Sequence, residues 1–480
     1  MEEQWPWLEA AEALRQGEWK EAERLAKLGI EAVPLHPQPW VTLGEALWKQ
    51  KFVMAARSCF QRAWLLDPKA SWPGTVFPLL KPEPDDIERF DIEMLLHVPR
   101  VSITAAIVVR NAEDTIHRCL ESLRGAVDHI VVMDSGSTDR TVELVREFSF
   151  RGLRLYKTKW QDSVAQLRNE VLRYIITDWV LWIDADEWLH KSDRSAVREA
   201  AGLFQQTGQP CVLNIMQLNR RGGGIDPLSV GRMFPMRNKL RFWGRIHEKI
   251  GTAEGMHADR LPRSDIRIRL LHDGYEPSSV KKHDKIERNL GLLRMMIEEE
   301  PDEPEWRLSL GMDLLSFGFP EQALEALQKA EEAAAGSAGF SGRPDIHRLM
   351  AQIHYAMDEL DLAERCVRKA LDLKPGDSAA LRLLAQIHYK RAGQHRKQAV
   401  ELLRRAKDSI ATPGAETKIE SGIHAWRLEV IEADMLLTEG RLAEAEALYL
   451  KHAGLHGASA IVSAKLERIA HVRRQLGGKP

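Results

Sequence analysis

Apolar residues along this chain follow two rhythms. From about residue 100 to 275 they gather in short, largely β-branched runs at 101–109, 129–133, 153–156 and 179–183, with helical spacing at 113–125, 138–150 and 162–176 between them. Such an alternation predicts βαβαβαβ with a parallel sheet at its heart. Before residue 70 and beyond 300 the spacing is helical throughout, and it repeats. Ala351-Gln352-Ile353-His354-Tyr355 recurs word for word as Ala385-Gln386-Ile387-His388-Tyr389, a spacing of 34 residues, and Pro34 and Pro68 are also 34 apart. That is the period of a two-helix repeat unit.

The unit before Pro68 runs Trp40, Leu43-Gly44, Leu47, Ala56, Phe60, Ala63, which resembles the tetratricopeptide pattern at its characteristic positions. Gly44, Ala56 and Ala63 let the two helices of a unit approach closely, while Trp40, Leu47 and Phe60 fill the space that remains. Further units are drawn around Leu310-Gly311 with Ala323 and Ala330, around Ala351 with Ala363, Ala370 and Pro375, and around Ala433 with Gly440, Ala445 and Tyr449. The unit near Ala385 is stretched, and its register after Gly393 is lost. Tyr355 and Tyr389 sit in the repeating pattern and are expected to pack between helices. Repeats of this kind bury their apolar faces only by stacking. Two units are too few, so residues 1–70 are expected to lean on another domain or on a second copy of the chain. Residues 71–100 read as a linker, 101–285 as the α/β domain, and 286–480 as a short superhelix with a concave face.

At 480 residues the chain is long enough for two or three domains. Its 68 Lys+Arg against 70 Asp+Glu leave a net charge of −2, which gives no global reason to expect nucleic acid or an anionic membrane as a partner. Cys59, Cys119, Cys211 and Cys366 lie far apart with no Cys-x-x-Cys spacing, so neither a disulfide framework nor a zinc site is indicated. The opening Met-Glu-Glu-Gln-Trp-Pro lacks a basic or apolar leader, and no apolar stretch is long enough to span a bilayer. A reducing, cytoplasmic setting follows as the expectation.

Candidate chemistry collects at the strand ends, where open parallel sheets bind ligands. The apolar run Trp179-Val180-Leu181-Trp182-Ile183 delivers Asp184-Ala185-Asp186. Carboxylates at i and i+2 of a strand face one way, and two hard oxygen donors suit Mg²⁺ or Mn²⁺ with phosphate. The other two strand ends are Arg110-Asn111-Ala112-Glu113 and Asp134-Ser135-Gly136-Ser137-Thr138-Asp139. The first of these has no glycine, which excludes a dinucleotide-binding fingerprint and a glycine-rich triphosphate loop. Gly336-Ser337-Ala338-Gly339-Phe340-Ser341-Gly342 follows a helix and reads as a connection between repeats. The stretch 220–245 carries Arg220, Arg221, Arg232, Arg237, Lys239, Arg241 and Arg245 against the single acid Asp226, and is expected to be a flexible basic loop that closes over a diphosphate. Lys281, Lys282 and Lys285 are expected on a solvated helix face.

These strand ends, with Arg168-Asn169, Gly244-Arg245-Ile246-His247-Glu248, His272-Asp273-Gly274-Tyr275 and Glu287-Arg288-Asn289, resemble a family 2 glycosyltransferase of the GT-A fold joined to tetratricopeptide repeats. Ala112 departs from the family's usual Glu, but Glu113 remains. The resemblance implies an α/β, mostly parallel sheet flanked by all-α repeats, and it assigns roles. Asn111 and Glu113 belong to the donor-binding strand end. Asp134 resembles the carboxylate that receives a uracil N–H, and Arg168 the nearby basic contact. Asp184 faces the ribose or the metal, Asp186 ligates the metal directly, and Glu187 stands behind it or on the sugar. His272 resembles a third metal ligand. Glu248 stands where family members carry the general base, while His247 beside it orients the acceptor, touches phosphate or is itself the base.

The implied activity is a metal-dependent, inverting transfer of one sugar from a UDP-type nucleotide-sugar, with Mn²⁺ or Mg²⁺ as cofactor. The concave repeats favour a peptide or protein acceptor with Ser, Thr or Cys as nucleophile, and they also offer a surface for a homodimer. Two alternatives stand beside it: transfer to a cell-surface glycan, and a repeat adaptor whose catalytic-type domain binds nucleotide-sugar without turnover.

Overall fold

The computed structural model describes residues 6–81, 86–221, 224–256, 261–272, 279–337, 339–411, 425–453 and 459–475. It divides into two compact units, 1–342 and 343–480.

The first unit opens with α1 (Pro6–Gln16), α2 (Trp19–Ala32), α3 (Pro37–Lys49) and α4 (Val53–Leu66), followed by the short α5 (Pro73–Val76) and α6 (Phe90–Leu96) in the segment expected as a linker. In the α3/α4 pair Trp40, Leu43, Leu47, Ala56, Phe60 and Ala63 are buried as the repeat pattern requires. A Cβ on Gly44 would come to 3.0 Å from the Phe60 ring, so the missing side chain sets how closely the helices approach. The pair does lean on a neighbour. Buried Arg62 donates from Nε to Glu199 at 2.7 Å and from Nη2 to the Leu96 carbonyl at 2.7 Å. Lys69 reaches Asp265 at 2.7 Å, and the Arg267 guanidinium stacks 3.5 Å from the centre of the Trp64 ring.

The central domain runs β1 (Ile103–Val109), α7 (Ile116–Ser122), β2 (His129–Asp134), α8 (Thr141–Glu147), β3 (Leu153–Lys157), α9 (Val164–Leu172), β4 (Trp179–Trp182), β5 (Glu187–Leu189), α10 (Arg194–Gln205), β6 (Val212–Arg221), β7 (Gly224–Pro235), β8 (Arg241–Trp243), β9 (Lys249–Gly251) and β10 (Arg263–His272). Its sheet has the order β3-β2-β1-β4-β7-β6-β10-β5. The expected parallel half is β3-β2-β1-β4. β7 then runs antiparallel to both β4 and β6, β10 parallel to β6, and β5 antiparallel to β10, so the sheet is mixed. β1 and β4 are almost wholly apolar because both of their faces are covered: Ile103, Ala105, Ile107, Trp179 and Leu181 pack on one side, Ala106, Val180 and Trp182 on the other.

The expected basic loop is instead a ribbon. β6 and β7 pair from Leu213↔Met233 to Arg221↔Gly224. Gly222 and Gly223 fall outside the described residues. β8 and β9 form a separate antiparallel pair, which makes Gly244-Arg245-Ile246-His247-Glu248 the connection of a small hairpin.

Helices α11 (Ser279–Glu299), α12 (Pro304–Ser316) and α13 (Pro320–Ala335) complete this unit. Ile246 of the hairpin packs with Leu292, Leu293, Met296 and Trp306 of α11 and α12. Gly311 abuts Leu327, 2.7 Å from the position a Cβ would take, and Ala323 and Ala330 are fully buried. The side chains of Lys281, Lys282 and Lys285 fall outside the described part.

The second unit contains α14 (Arg343–Ala356), α15 (Leu360–Leu373), α16 (Ser378–Ala411), α17 (Ala425–Thr438), α18 (Leu442–His452) and α19 (Ser459–Gln475). Ala351, Ala363 and Ala370 are fully buried between α14 and α15, and Ala433, Ala445 and Tyr449 are likewise buried further on. The unit that lost its register near Gly393 is one helix of 34 residues. Because α16 does not turn back there, Tyr389 is 85% exposed, and the expectation that it packs between helices is corrected. Tyr355 does pack against its cluster. Among the described residues no helix is long and apolar enough to cross a membrane.

Candidate active site

Parallel pairing brings the carboxyl ends of β1, β2 and β4 to one edge of the sheet, with Val109 opposite Asp134 and Ala106 opposite Trp182. The first two ends are stitched together. Asn111, at φ +52°, accepts the Thr138 amide on Oδ1 at 2.8 Å, and its own amide donates to Ser137 Oγ at 2.9 Å. Glu113 accepts the Arg140 amide at 3.0 Å, and the Glu113 amide donates to Asp139 at 3.2 Å. Asn111 and Glu113 therefore hold two loops in register. Asp134 is buried, and its Oδ1 accepts the Ser137 amide at 3.1 Å, closing the loop on its own strand end.

At the end of β4 the strand stops before the acidic triplet does. Asp184 to Glu187 form a turn closed by the Glu187 amide donating to the Asp184 carbonyl at 3.0 Å, while the Asp184 amide donates to Glu187 Oε2 at 2.9 Å. Strand alternation, expected to aim both carboxylates one way, does not extend into this turn. Asp184 and Asp186 instead have separate partners.

Asp184 lies between two buried arginines. Arg168, from α9, donates from Nη2 to its Oδ1 at 3.1 Å, and Arg232, from β7, donates from Nη2 to its Oδ2 at 2.6 Å. Burial pushes the Asp184 carboxyl up, but Arg232 and then Arg168 outweigh it and hold the group well below the usual carboxylate range. The chain continues at both ends. Arg168 Nη2 also lies 3.0 Å from Glu248 Oε1, and Arg232 Nη2 lies 2.9 Å from Glu187 Oε1, which Gln217 also contacts. Glu187 is enclosed, and burial, reinforced by the neighbouring Asp184 and Asp186 charges against the pull of Arg232, pushes it up to about 7. The Arg168 guanidinium carbon lies 5.1 and 5.2 Å from the ring centres of Trp182 and Phe242.

Asp186 turns outward and meets His272, from the end of β10, at 3.2 Å between Oδ2 and Nε2. His272 Nδ1 lies 3.0 Å from Asn219 Oδ1. An amide oxygen accepts, so Nδ1 carries a proton, and the contact with the Asp186 carboxylate calls for a second proton on Nε2, whose place a metal ion would take. The bond to Asp186 raises the His272 pKa. Among the described residues no three His, Cys, Asp or Glu side chains converge on one metal position. Asp186 and His272 make a two-ligand half-site, which fits an ion that completes its shell on phosphate oxygens and water. Asp273, Gly274 and Tyr275 of the same motif fall outside the described residues.

Of the two candidate bases, only Glu248 joins this ion-pair chain, and its side chain is 14% exposed. His247 is directed elsewhere: Nε2 lies 2.9 Å from Asp313 Oδ2 on α12. Sequence reasoning missed Arg232 as a buried partner of the acidic turn, placing it in a loop; the alternation of β7 was the available signal. It missed Gln217, Asn219 and Asp313 altogether, since nothing local marks a residue whose partner lies 30 to 66 positions away.

Residues 104–212 match the model of the Glycosyl transferase family 2, and residues 348–416 match a Tetratricopeptide repeat model. The SPbeta prophage-derived glycosyltransferase SunS of Bacillus subtilis is 29% identical over 231 residues, 48% of this chain and 53% of that protein. A TPR repeat-containing protein of Synechococcus elongatus is 26% identical over 234 residues, 47% of this chain and 55% of that one. The chain thus spans about half the length of these curated relatives. Among solved structures, S. aureus TarS residues 1–349 align with a TM-score of 0.33 and 17% identity over 56% of this chain and 90% of that one.

Proposed function

We infer that this chain, a family 2 glycosyltransferase domain of GT-A type joined to tetratricopeptide repeats, moves a single sugar from a nucleotide-sugar to an acceptor held partly by its repeats. The observation that carries the reading is the division of labour at the end of β4: Asp184 fixed between Arg168 and Arg232, and Asp186 turned out to His272.

In this reading the stitched loops after β1 and β2 present the donor site, with Asp134 at the base of a uracil-type ring. Asn111 and Glu113 keep that site in shape through the loop amides they hold. Arg168 is the cation nearest the diphosphate. Asp186 and His272 would hold Mn²⁺ or Mg²⁺; the imidazole nitrogen favours Mn²⁺. When bound, the ion supplies Lewis-acid relief of the charge that develops on the leaving nucleoside diphosphate. Glu248 accepts the proton from the acceptor hydroxyl or thiol as the new bond forms at the sugar carbon and the bond to the diphosphate breaks on the opposite face, which inverts the configuration. Two features favour Glu248 over His247 as base: it shares Arg168 with Asp184, and His247 is engaged by α12.

A concave helical repeat suits an extended peptide, so the acceptor is a peptide or protein bearing Ser, Thr or Cys. Calorimetric titration with UDP, with and without Mn²⁺ and beside Asp186→Ala, tests the reading. Micromolar binding that needs both the ion and Asp186 supports it. Silence toward UDP, GDP and dTDP in a folded sample overturns it.

A further inference from the structure

We propose that Asp313, on the first helix after α11, is a positioning residue that sets the ring of His247 in the acceptor-side hairpin, making α12 a working part of the active centre. This rests on the transfer reading above.

The hairpin between β8 and β9 is fixed to α11 and α12 at several points. Gly244, at φ +92°, lies so close to Trp306 that a Cβ would stand 2.8 Å from its ring. The Arg245 amide donates to Met296 Sδ at 3.2 Å, the Arg245 guanidinium donates to Glu299 at 3.0 Å, and Lys249 pairs with Glu305 at 2.7 Å. Ile246 fills the apolar bed these helices provide. Within so constrained a loop His247 takes φ +52°, a left-handed conformation that a bulky side chain adopts only at a cost. That backbone sends consecutive side chains to different bodies: Glu248 to Arg168 and Asp184, His247 to Asp313.

Asp313 is well covered, its side chain 13% exposed, whereas His247 keeps 40% of its side chain open. A covered carboxylate behind an open imidazole is the arrangement that selects a tautomer. The proton is held on Nε2, donating to Asp313 Oδ2, and Nδ1 is left as an acceptor for a hydroxyl, thiol or amide of the incoming chain. His247 then orients the acceptor beside Glu248, and Asp313 acts through it.

Two measurements on the full chain test this. In histidine-labelled protein, nitrogen NMR should find His247 as the Nε2–H tautomer, relaxing to a mixture in Asp313→Ala. Turnover of UDP-glucose and UDP-N-acetylglucosamine, with water in the acceptor's place, should fall about ten-fold or more in kcat for Asp313→Ala, with donor KM unchanged. Asp313→Asn, which keeps an acceptor oxygen, should recover most of that loss. Asp313→Ala combined with His247→Ala should lose no more than His247→Ala alone. An unchanged tautomer, or losses that multiply, overturns the proposal. If the native chain turns over no donor and binds no UDP, the transfer reading falls, and the tautomer alone decides whether Asp313 sets His247.

Discussion

Arg168 holds Glu248 at 3.0 Å between Nη2 and Oε1 while also reaching Asp184 at 3.1 Å. One buried guanidinium therefore ties the assigned base to the acidic turn, and donor-site and acceptor-side groups share a single charge. Replacing Glu248 by Gln keeps the shape and removes the proton acceptor. Steady-state kinetics should show kcat lowered by about 10²–10⁴-fold, with UDP affinity within a factor of about three of the native chain. A Gln variant that turns over normally would move the base elsewhere.

The His272–Asn219 contact predicts a metal phenotype without a folding one. Asn219→Ala removes the acceptor that keeps the proton on His272 Nδ1. The Mn²⁺ concentration needed for half-maximal UDP binding should rise about ten-fold or more. His272→Ala should raise it further, and EDTA should abolish binding in all three proteins.

Arg232 is predicted to matter first for stability. It is 5% exposed and compensates both Asp184 and Glu187. Arg232→Met leaves the enclosed Glu187 without its cation and Asp184 with Arg168 alone, and chemical denaturation should show a loss on the order of 3–5 kcal/mol. Adding Glu187→Gln should restore part of it, because the unpaired enclosed charge is then gone.

Gly244 and Gly291 make a matched pair. An alanine at Gly244 meets both the positive φ and the Trp306 ring, whereas nothing lies within 4 Å of a Cβ at Gly291 in α11. Gly244→Ala should cost about 1–3 kcal/mol and lower turnover. Gly291→Ala should be neutral or stabilise by up to about 1 kcal/mol, as read from the melting temperature.

Asp265 links the N-terminal repeats to β10 and gives stability a pH dependence. Burial pushes its carboxyl up, but Lys69, Ser229 and Asn214 outweigh this and bring it from the ordinary 3.8 down to about 2. The folded value lies below the unfolded one, so the contribution is complete above about pH 4 and is lost as the pH falls toward 2. It amounts to on the order of 1–2 kcal/mol. In acid titrations followed by circular dichroism, Asp265→Asn should be less stable than the native chain at pH 6, and the two should converge as the pH falls below about 2.

The sequence by itself determined the elements and much of the architecture. The repeat positions Trp40, Gly44, Phe60, Ala351 and Ala363 are buried where their spacing put them, because an amphipathic helix has one apolar face to cover. β1, β2 and β4 were legible because strands buried on both faces read as unbroken apolar runs, whereas the edge strand β3 shows an alternation, Leu153-Arg154-Leu155. The candidate residues at the strand ends were legible too, since parallel topology fixes which ends share an edge.

Tertiary structure decided the pairings. The Asp184–Glu187 turn, which gives the two aspartates different partners, depends on Arg232 arriving from a strand 48 residues downstream. The mixed half of the sheet depends on β7 docking beside β4, which local propensity does not encode. The direction of His247 depends on α12, 66 residues away. Local pattern reports what each segment must bury; only the packed chain reports which buried charge meets which, because ion pairs and hydrogen bonds are set by distances that close when the whole fold does.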